Sequence, residues 1–308
     1  MLSSTATLGQ EQSFYFLVSV MTINNPGDFK KILDLRSLSY SERQLIIVLP
    51  DEVVATARRP VINPNPGENL SDWKSIAARI AKASLSFNVI GVGMELTTDA
   101  INAWAAARES GLNLLQISRT EAKALTFPPG HPREQAIYVA HPALPSVYYT
   151  TATFHRMAFE HKFSEAILLL MSLGANKITV EHVRGWSREF AAKMSTSLDS
   201  IEVTADAGHS AKSASTHLFE ATLNNPQAPV LPLDLVWYPH EPTWQAVAQG
   251  RMKFGLSQFS LTVNYEDDFG INAGLKMRVQ KAGLDLGGTF EDHTATTWKI
   301  HGDFAPMN

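Results

Sequence analysis

Acidic side chains gather in two short polar segments near the C-terminus of this chain. One segment reads "EDDFG" and the other reads "EDHTA". Carboxylate and imidazole groups bind divalent cations when a fold brings several of them together. The candidate ligands are Asp267, Asp268, Asp292 and His293. We interpret them as a candidate cation site, and solvated turns rich in Asp and Glu are the simpler alternative.

Other residues able to do chemistry lack companions at a useful spacing. His131 and His141 stand in proline-rich sequence, and the turn Gly91–Glu95 precedes a predicted helix. Backbone N–H groups at a helix N-terminus can hold an anion, but the third glycine of a dinucleotide fingerprint is missing here. A soluble enzyme using His131, His141 and Glu95 is therefore the alternative hypothesis for function.

Histidines also occur on a predicted helix, where their spacing argues against a metal site. His155 and His161 are six residues apart and point to different faces, whereas two ligands on one helix need a spacing of three or four. His161 and Glu165 share a face, but two ligands do not define a site.

Composition excludes several classes of function. The chain of 308 residues has no cysteine, which removes disulfides, thiolate catalysis and cysteine-bound zinc. A net charge of −4 leaves no excess of basic residues for a phosphate backbone, so we expect no nucleic acid partner. We expect no organic cofactor. The N-terminus lacks a basic leader region, so we expect a cytoplasmic protein.

The first part of the chain alternates strand-like and helix-like segments. Residues 14–21, 44–49, 87–92 and 112–118 are predicted strands, and helices are predicted at 28–38, 71–84 and 95–111. This rhythm predicts a small α/β layer, with parallel pairing of the strands 87–92 and 112–118.

The C-terminal part shows apolar and polar residues in strict alternation. Four segments have this pattern, at 259–265, 271–279, 284–290 and 296–304. Period-two alternation is typical of a strand with one buried face. It predicts a four-stranded antiparallel meander. A helix at 151–173, ended by Gly174, is the best candidate to cover its apolar face.

Residues 187–223 form a long, regular stretch of small polar and apolar side chains. Alternation over 188–198, with a slip of phase near Asp199, predicts a hairpin with a bulge. The residues proposed for membrane insertion or assembly are Phe190, Met194, Leu198 and Phe219. The simpler interpretation is a hairpin that completes the sheet. The sharper one is the stem of a membrane-inserting, pore-forming effector.

These patterns together predict an α+β fold. An N-terminal α/β layer (1–127) is followed by a proline-rich seam (128–150), and then by a long helix packed on an extended antiparallel β-meander (151–308). We expect a non-catalytic assembly or interaction protein. Its expected partner is a second copy of the chain or another protein, with a membrane as the specialised case.

Overall fold

The structure is a computed structural model, and it describes residues 37–52, 54, 102–186, 217–223 and 228–306. Its strands are β1 (Leu45–Leu49), β2 (Leu115–Ser118), β3 (Ile137–Ala140), β4 (Tyr148–Thr150), β5 (Ala175–Arg184), β6 (His217–Thr222), β7 (Gln258–Tyr265) and β8 (Thr296–Phe304). Its helices are α1 (Tyr40–Arg43), α2 (102–109), α3 (Arg119–Ala122), α4 (Phe154–Ser172), α5 (Pro242–Phe254) and α6 (Ala273–Lys281). The predicted α+β class is confirmed.

Sheet 1 has the strand order β2-β1-β3-β4. Strand β1 pairs with β2 in parallel and with β3 antiparallel. Its sequence, LIIVL, is apolar throughout because both faces of the strand are buried. Leu45, Ile47 and Leu49 face the main core, whereas Ile46 and Val48 face a second apolar cluster.

Strands β3 and β4 lie inside residues 128–150, where we expected a proline-rich seam. They pair with each other antiparallel, and β3 also pairs with β1, so the segment completes sheet 1. The domain boundaries themselves stay a prediction.

Helix α4 lies between the two sheets and contacts β4 of sheet 1 and β5 and β7 of sheet 2. Phe154, Phe159 and Leu170 are fully buried. The helix ends before Gly174, whose φ of 82° is left-handed, as the sequence predicts. Leu168 is the only exposed residue of α4, and apolar residues point outward on every side of the helix, as expected for a helix enclosed by its surroundings.

Sheet 2 has the order β6-β5-β8-β7 and is antiparallel throughout. One face packs on α4 through residues that include Ile178, Val180 and Ile300. In β7, Phe259, Leu261, Val263 and Tyr265 are buried while the residues between them are exposed or half-buried. The predicted antiparallel sheet with a covering helix and one solvated face is confirmed.

The second strand of the predicted meander is wrong, because residues 273–281 form helix α6. Ile271, Leu275 and Val279 are buried. Their spacing of four satisfies a helix as well as a period-two strand. Asn272 decides the outcome, because its side chain accepts hydrogen bonds from the N–H groups of Gly274 and Leu275 and so caps the helix.

The third predicted strand, 284–290, is also wrong. This irregular segment joins sheet 1, where the N–H of Ile137 donates to the carbonyl of Asp285 and the N–H of Ala152 donates to that of Leu286. Strand β8 therefore pairs with β5 and β7, so sheet 2 is not a simple meander.

Side chains occupy two hydrogen-bond acceptors on the β7 edge of sheet 2. On β7, the carbonyl of Thr262 accepts from the indole N–H of Trp244 at 3.3 Å. The carbonyl of Asn264 accepts from Nζ of Lys162 at 2.7 Å. Two backbone acceptors that would pair with a further strand are thus already used.

Several predictions fall outside the described residues. These are the strands at 14–21 and 87–92, the helix at 71–84 and most of the hairpin 187–223. Of the predicted helix 28–38, only residues 37 and 38 are described. Within the part of the chain that the structure describes, no helix has both the length and the apolar character needed to cross a membrane.

Gly302 of β8 leaves space for the ring of Phe259. A Cβ at this position would lie 2.9 Å from Cζ of that ring and would also meet the carbonyl of Lys177. We expect Gly302→Ala to destabilise the protein by about 1–3 kcal/mol, as overpacking does, measured by chemical denaturation.

Gly250→Ala is the matched control. Gly250 lies within α5, where a Cβ would meet Leu256 at an ordinary contact distance of 3.4 Å. Removing a glycine from a helix is expected to leave stability unchanged or to raise it by up to about 1 kcal/mol. Equal effects of the two substitutions would contradict this account of strand β8.

Candidate functional site

A cluster of polar side chains lies where helix α4 meets the end of β3 and the segment 235–241. We call His141, His161, Glu165 and Trp237 the histidine cluster. His141 and Glu165 are buried, as is Trp237. His161 is half-buried. Titratable groups held together in this way are a common mark of functional sites, although structural networks show it too.

His141 uses both of its ring nitrogens. Its Nδ1 accepts from the backbone N–H groups of Ala143 and Leu144 at 3.0 and 2.9 Å. Because Nδ1 is an acceptor, we assign the proton to Nε2, which donates to Nδ1 of His161 at 3.1 Å. The ring is therefore neutral, and its hydrogen bonds fix the turn at 141–144.

His161 accepts a second hydrogen bond at the same nitrogen. The indole N–H of Trp237 donates to Nδ1 of His161 at 2.9 Å, so this lone pair is shared by two donors. The proton of a neutral His161 must then sit on Nε2. Protonating Nδ1 instead would place three N–H groups against one another.

The environment keeps both imidazoles neutral. Burial, together with the neighbouring His161 and Arg43, lowers the pKa of His141 to about 3. Burial also lowers the pKa of His161, against the opposing effect of Glu165. In this pair of neutral imidazoles both Nδ1 lone pairs already accept hydrogen bonds, so neither ring can act as a general base without breaking its own hydrogen bonds.

Glu165 anchors the segment 235–241 to the helix. Its carboxylate accepts from the backbone N–H groups of Val236, Trp237 and Tyr238, each at 2.8 Å. One turn earlier, Lys162 lies 5.3 Å from the centre of the Trp237 ring and forms an ion pair with Glu241. The cluster thus holds a loop in place along α4.

The two acidic turns do meet, although they are not neighbouring turns of a meander. The rings of Tyr265 and His293 lie 5.7 Å apart, and those of His155 and His293 lie 5.0 Å apart. The charges of Asp268 and Asp292 act on the buried His155. The two segments therefore lie close together, although the predicted meander is not what brings them there.

The convergence does not produce a recognisable cation site. Asp267 accepts from the N–H of Phe269, and Asp268 accepts from the N–H of Gly270 and the side chain of Asn272. His155 is held between the hydroxyl of Tyr265 and the carbonyl of Ile271. In the described ranges, no group of three or more His, Cys, Asp or Glu side chains is arranged to hold a metal ion.

Of the residues named for an enzyme, His131 and His141 lie on opposite sides of sheet 1. Tyr138 faces the second apolar cluster of sheet 1, and His131 bonds to its hydroxyl at 2.8 Å. His141 lies on the opposite side, with its ring against Tyr149 and Trp237. Glu95 and the turn Gly91–Glu95 lie outside the described residues.

Most of the residues predicted for membrane insertion or assembly cannot be placed in the structure. Phe190, Met194 and Leu198 lie outside the part of the chain described by the structure, and Phe219 belongs to strand β6. Trp237 and the role of Glu165 were missed by sequence reasoning. The spacing of His161 and Glu165 was the available signal, but nothing in it names Trp237 as their partner.

Neutral histidines make stability depend on pH. The pKa values of His141, His155 and His161 are all lowered in the folded protein, from an ordinary value of 6.5. The unfolded chain therefore binds more protons than the folded one below about pH 6.5. Above that pH the neutral histidines cost the folded state nothing. As the pH falls below it, the free energy of unfolding decreases by about 1.4 kcal/mol per pH unit for each such histidine.

Chemical denaturation at a series of pH values checks this. We expect a plateau from about pH 7 to 8 and a decline from about pH 6.5 to 5, before the carboxylates titrate. A free energy of unfolding that stays constant across the lower range would contradict the neutral assignment.

Glu165→Gln tests the anchoring of segment 235–241. An amide keeps one acceptor oxygen but turns an NH₂ group toward backbone donors, so we expect a loss of about 1–3 kcal/mol. Hydrogen exchange at the amides of Val236, Trp237 and Tyr238 should become faster. Glu109→Gln, at an exposed position of α2, is the control. Unchanged exchange at the three amides would show that Glu165 does not hold the segment.

Comparison of the chain with protein-family models, with curated proteins and with solved structures gave no match in any of the three.

Proposed function

We propose that the chain is a non-catalytic assembly or interaction protein, and that its partner docks on the outer face of sheet 2. This face is the side of the sheet turned away from helix α4. Its residues alternate along the strands with those of the buried face.

The observation that carries the proposal is how the buried polar groups are used. Glu165 accepts three backbone N–H groups, and His141 accepts two and donates its only proton to His161. Arg251 donates to the carbonyls of Leu173, Leu256 and Ala305. Groups committed to the backbone in this way stabilise a fold, and a substrate would have to displace those hydrogen bonds to use them.

The outer face offers the contrasting environment. Ser260, Asn264 and Lys299 are exposed. Lys177 and Glu220 pair across β5 and β6 at 2.9 Å while each side chain stays 47% exposed. A broad, polar and solvated sheet surface suits docking by complementary charges and hydrogen bonds.

A single cysteine can report docking on this face. The natural chain has no cysteine, so Ser260→Cys carries a photo-crosslinker at one site only. Irradiation of an extract of cells that produce this variant should give a covalent adduct, because Ser260 lies at an exposed position of β7. Lys253→Cys, at an exposed position of α5, is the control and should give no comparable adduct.

Two outcomes would overturn the proposal. Equal labelling from Ser260 and Lys253, or none from either, would remove the outer face as a docking surface. Dye release from anionic or neutral liposomes that Phe190→Asp abolishes would instead identify the hairpin 187–223 as a membrane-inserting stem.

A further inference from the structure

Four charged residues form a regular pattern on the outer face of sheet 2. Lys177 of β5 lies beside Asp303 of β8, and Glu181 of β5 lies beside Lys299 of β8. Between these two rows, Thr179 lies beside His301. Neighbours across strands are about 5 Å apart, and the two rows are about 13 Å apart along the strands.

The signs of these charges alternate in both directions. Going across the strands, the first row is positive then negative and the second is negative then positive. Along each strand the sign also changes from one row to the next. We call Lys177, Asp303, Glu181 and Lys299 the charge quartet.

We propose that the outer face of sheet 2 pairs with the same face of a second copy of this chain across a twofold axis. A twofold interface is formed by one patch that must be complementary to itself. Consider a twofold axis that runs along the strands between β5 and β8. Rotation about this axis places β5 of one copy over β8 of the other. Lys177 then faces Asp303 of the second copy, Glu181 faces Lys299, and every charge of the quartet meets its opposite. The same holds for an axis across the strands, which exchanges the rows.

The row between the charges holds Glu220, Thr179, His301 and Ser260, in that order across the strands. Thr179 is buried, His301 is half-buried and Ser260 is small, so the inner part of this row does not project far from the sheet. Glu220 is exposed at the end of the row, and like the long lysine side chains at the corners of the quartet it can reach across.

The intramolecular pairs on this face leave the charges available. Lys177 pairs with Glu220, Glu181 lies 3.9 Å from His301, and Asp303 accepts from the side chain of Gln258 at 3.0 Å. Both charge pairs are partly exposed, and such pairs are weak. A dimer built on similar contacts is itself weak and sensitive to salt, because ions screen exposed charges within about 10 Å at 0.1 M ionic strength.

This inference rests on the proposed function and names its partner. The proposed function and this inference can be tested separately. A crosslink from Ser260 to a different protein would support docking on the outer face and contradict the self-pairing. An adduct between two copies of the chain would support both.

Sedimentation equilibrium of the full chain tests the pairing. We expect dimers at about 0.02 M salt and monomers at about 0.5 M salt. Lys299→Glu should weaken the dimer about tenfold, since twofold symmetry changes two contacts at once. Lys281→Glu, which makes the same charge change at an exposed end of α6, should leave the dimer unchanged.

A fourfold reversal gives the sharpest test. The variant Lys177→Glu, Glu181→Lys, Lys299→Glu and Asp303→Lys inverts every charge of the quartet and keeps the alternation. We expect it to pair with itself and not with the unaltered chain, because like charges would then face each other. Energy transfer between copies labelled at Lys253→Cys measures both combinations.

Several results would overturn the inference. They are a monomer at low salt, a dimer indifferent to Lys299→Glu, or a reversed variant that pairs freely with the unaltered chain. Near-ultraviolet circular dichroism shows whether each variant is folded. Lys299→Gln, which removes the charge without adding repulsion, should weaken the dimer less than Lys299→Glu.

Discussion

Burial of helix α4 between two sheets is the constraint on which the rest of the structure depends. A helix in this position needs an apolar surface on nearly all sides, and each polar side chain on it must find a partner or lose its hydration without compensation. His155 bonds to Tyr265 and Ile271. Lys162 bonds to Glu241 and Asn264. Glu165 accepts from the backbone of residues 236–238. The polar positions on the helix thus fix where these parts of the chain lie against it.

Much of this architecture can be predicted from the sequence. The prediction is limited where one spacing of apolar residues fits both a strand and a helix. The segment 296–304 alternates and is strand β8, whereas 271–279 alternates equally well and is largely helical. A spacing of four fits both structures, so the cap at Asn272 decides. The exposed Met277 marks the position where the strand pattern would have required burial. Strands β3 and β4 were not predicted, because the prolines on either side of them indicate a loop.

The candidate site was harder to predict for a different reason. The spacing of His161 and Glu165 is local and therefore visible, but Trp237 lies 76 residues from His161. The charge quartet shows the same limit. Lys299 and Asp303 share a face by alternation alone, yet their alignment with Lys177 and Glu181 depends on the register of β8 against β5. Register across distant strands is a property of the whole fold.

The two occupied carbonyls on the β7 edge of sheet 2 affect whether a strand from another molecule can add there. A bare strand edge can recruit strands from other molecules, and repeated recruitment leads to fibrils. At β7, Trp244 and Lys162 occupy the carbonyls of Thr262 and Asn264, and the ammonium group brings a charge to the same edge. These two side chains therefore make β7 a poorer template for open-ended strand addition than a bare edge would be.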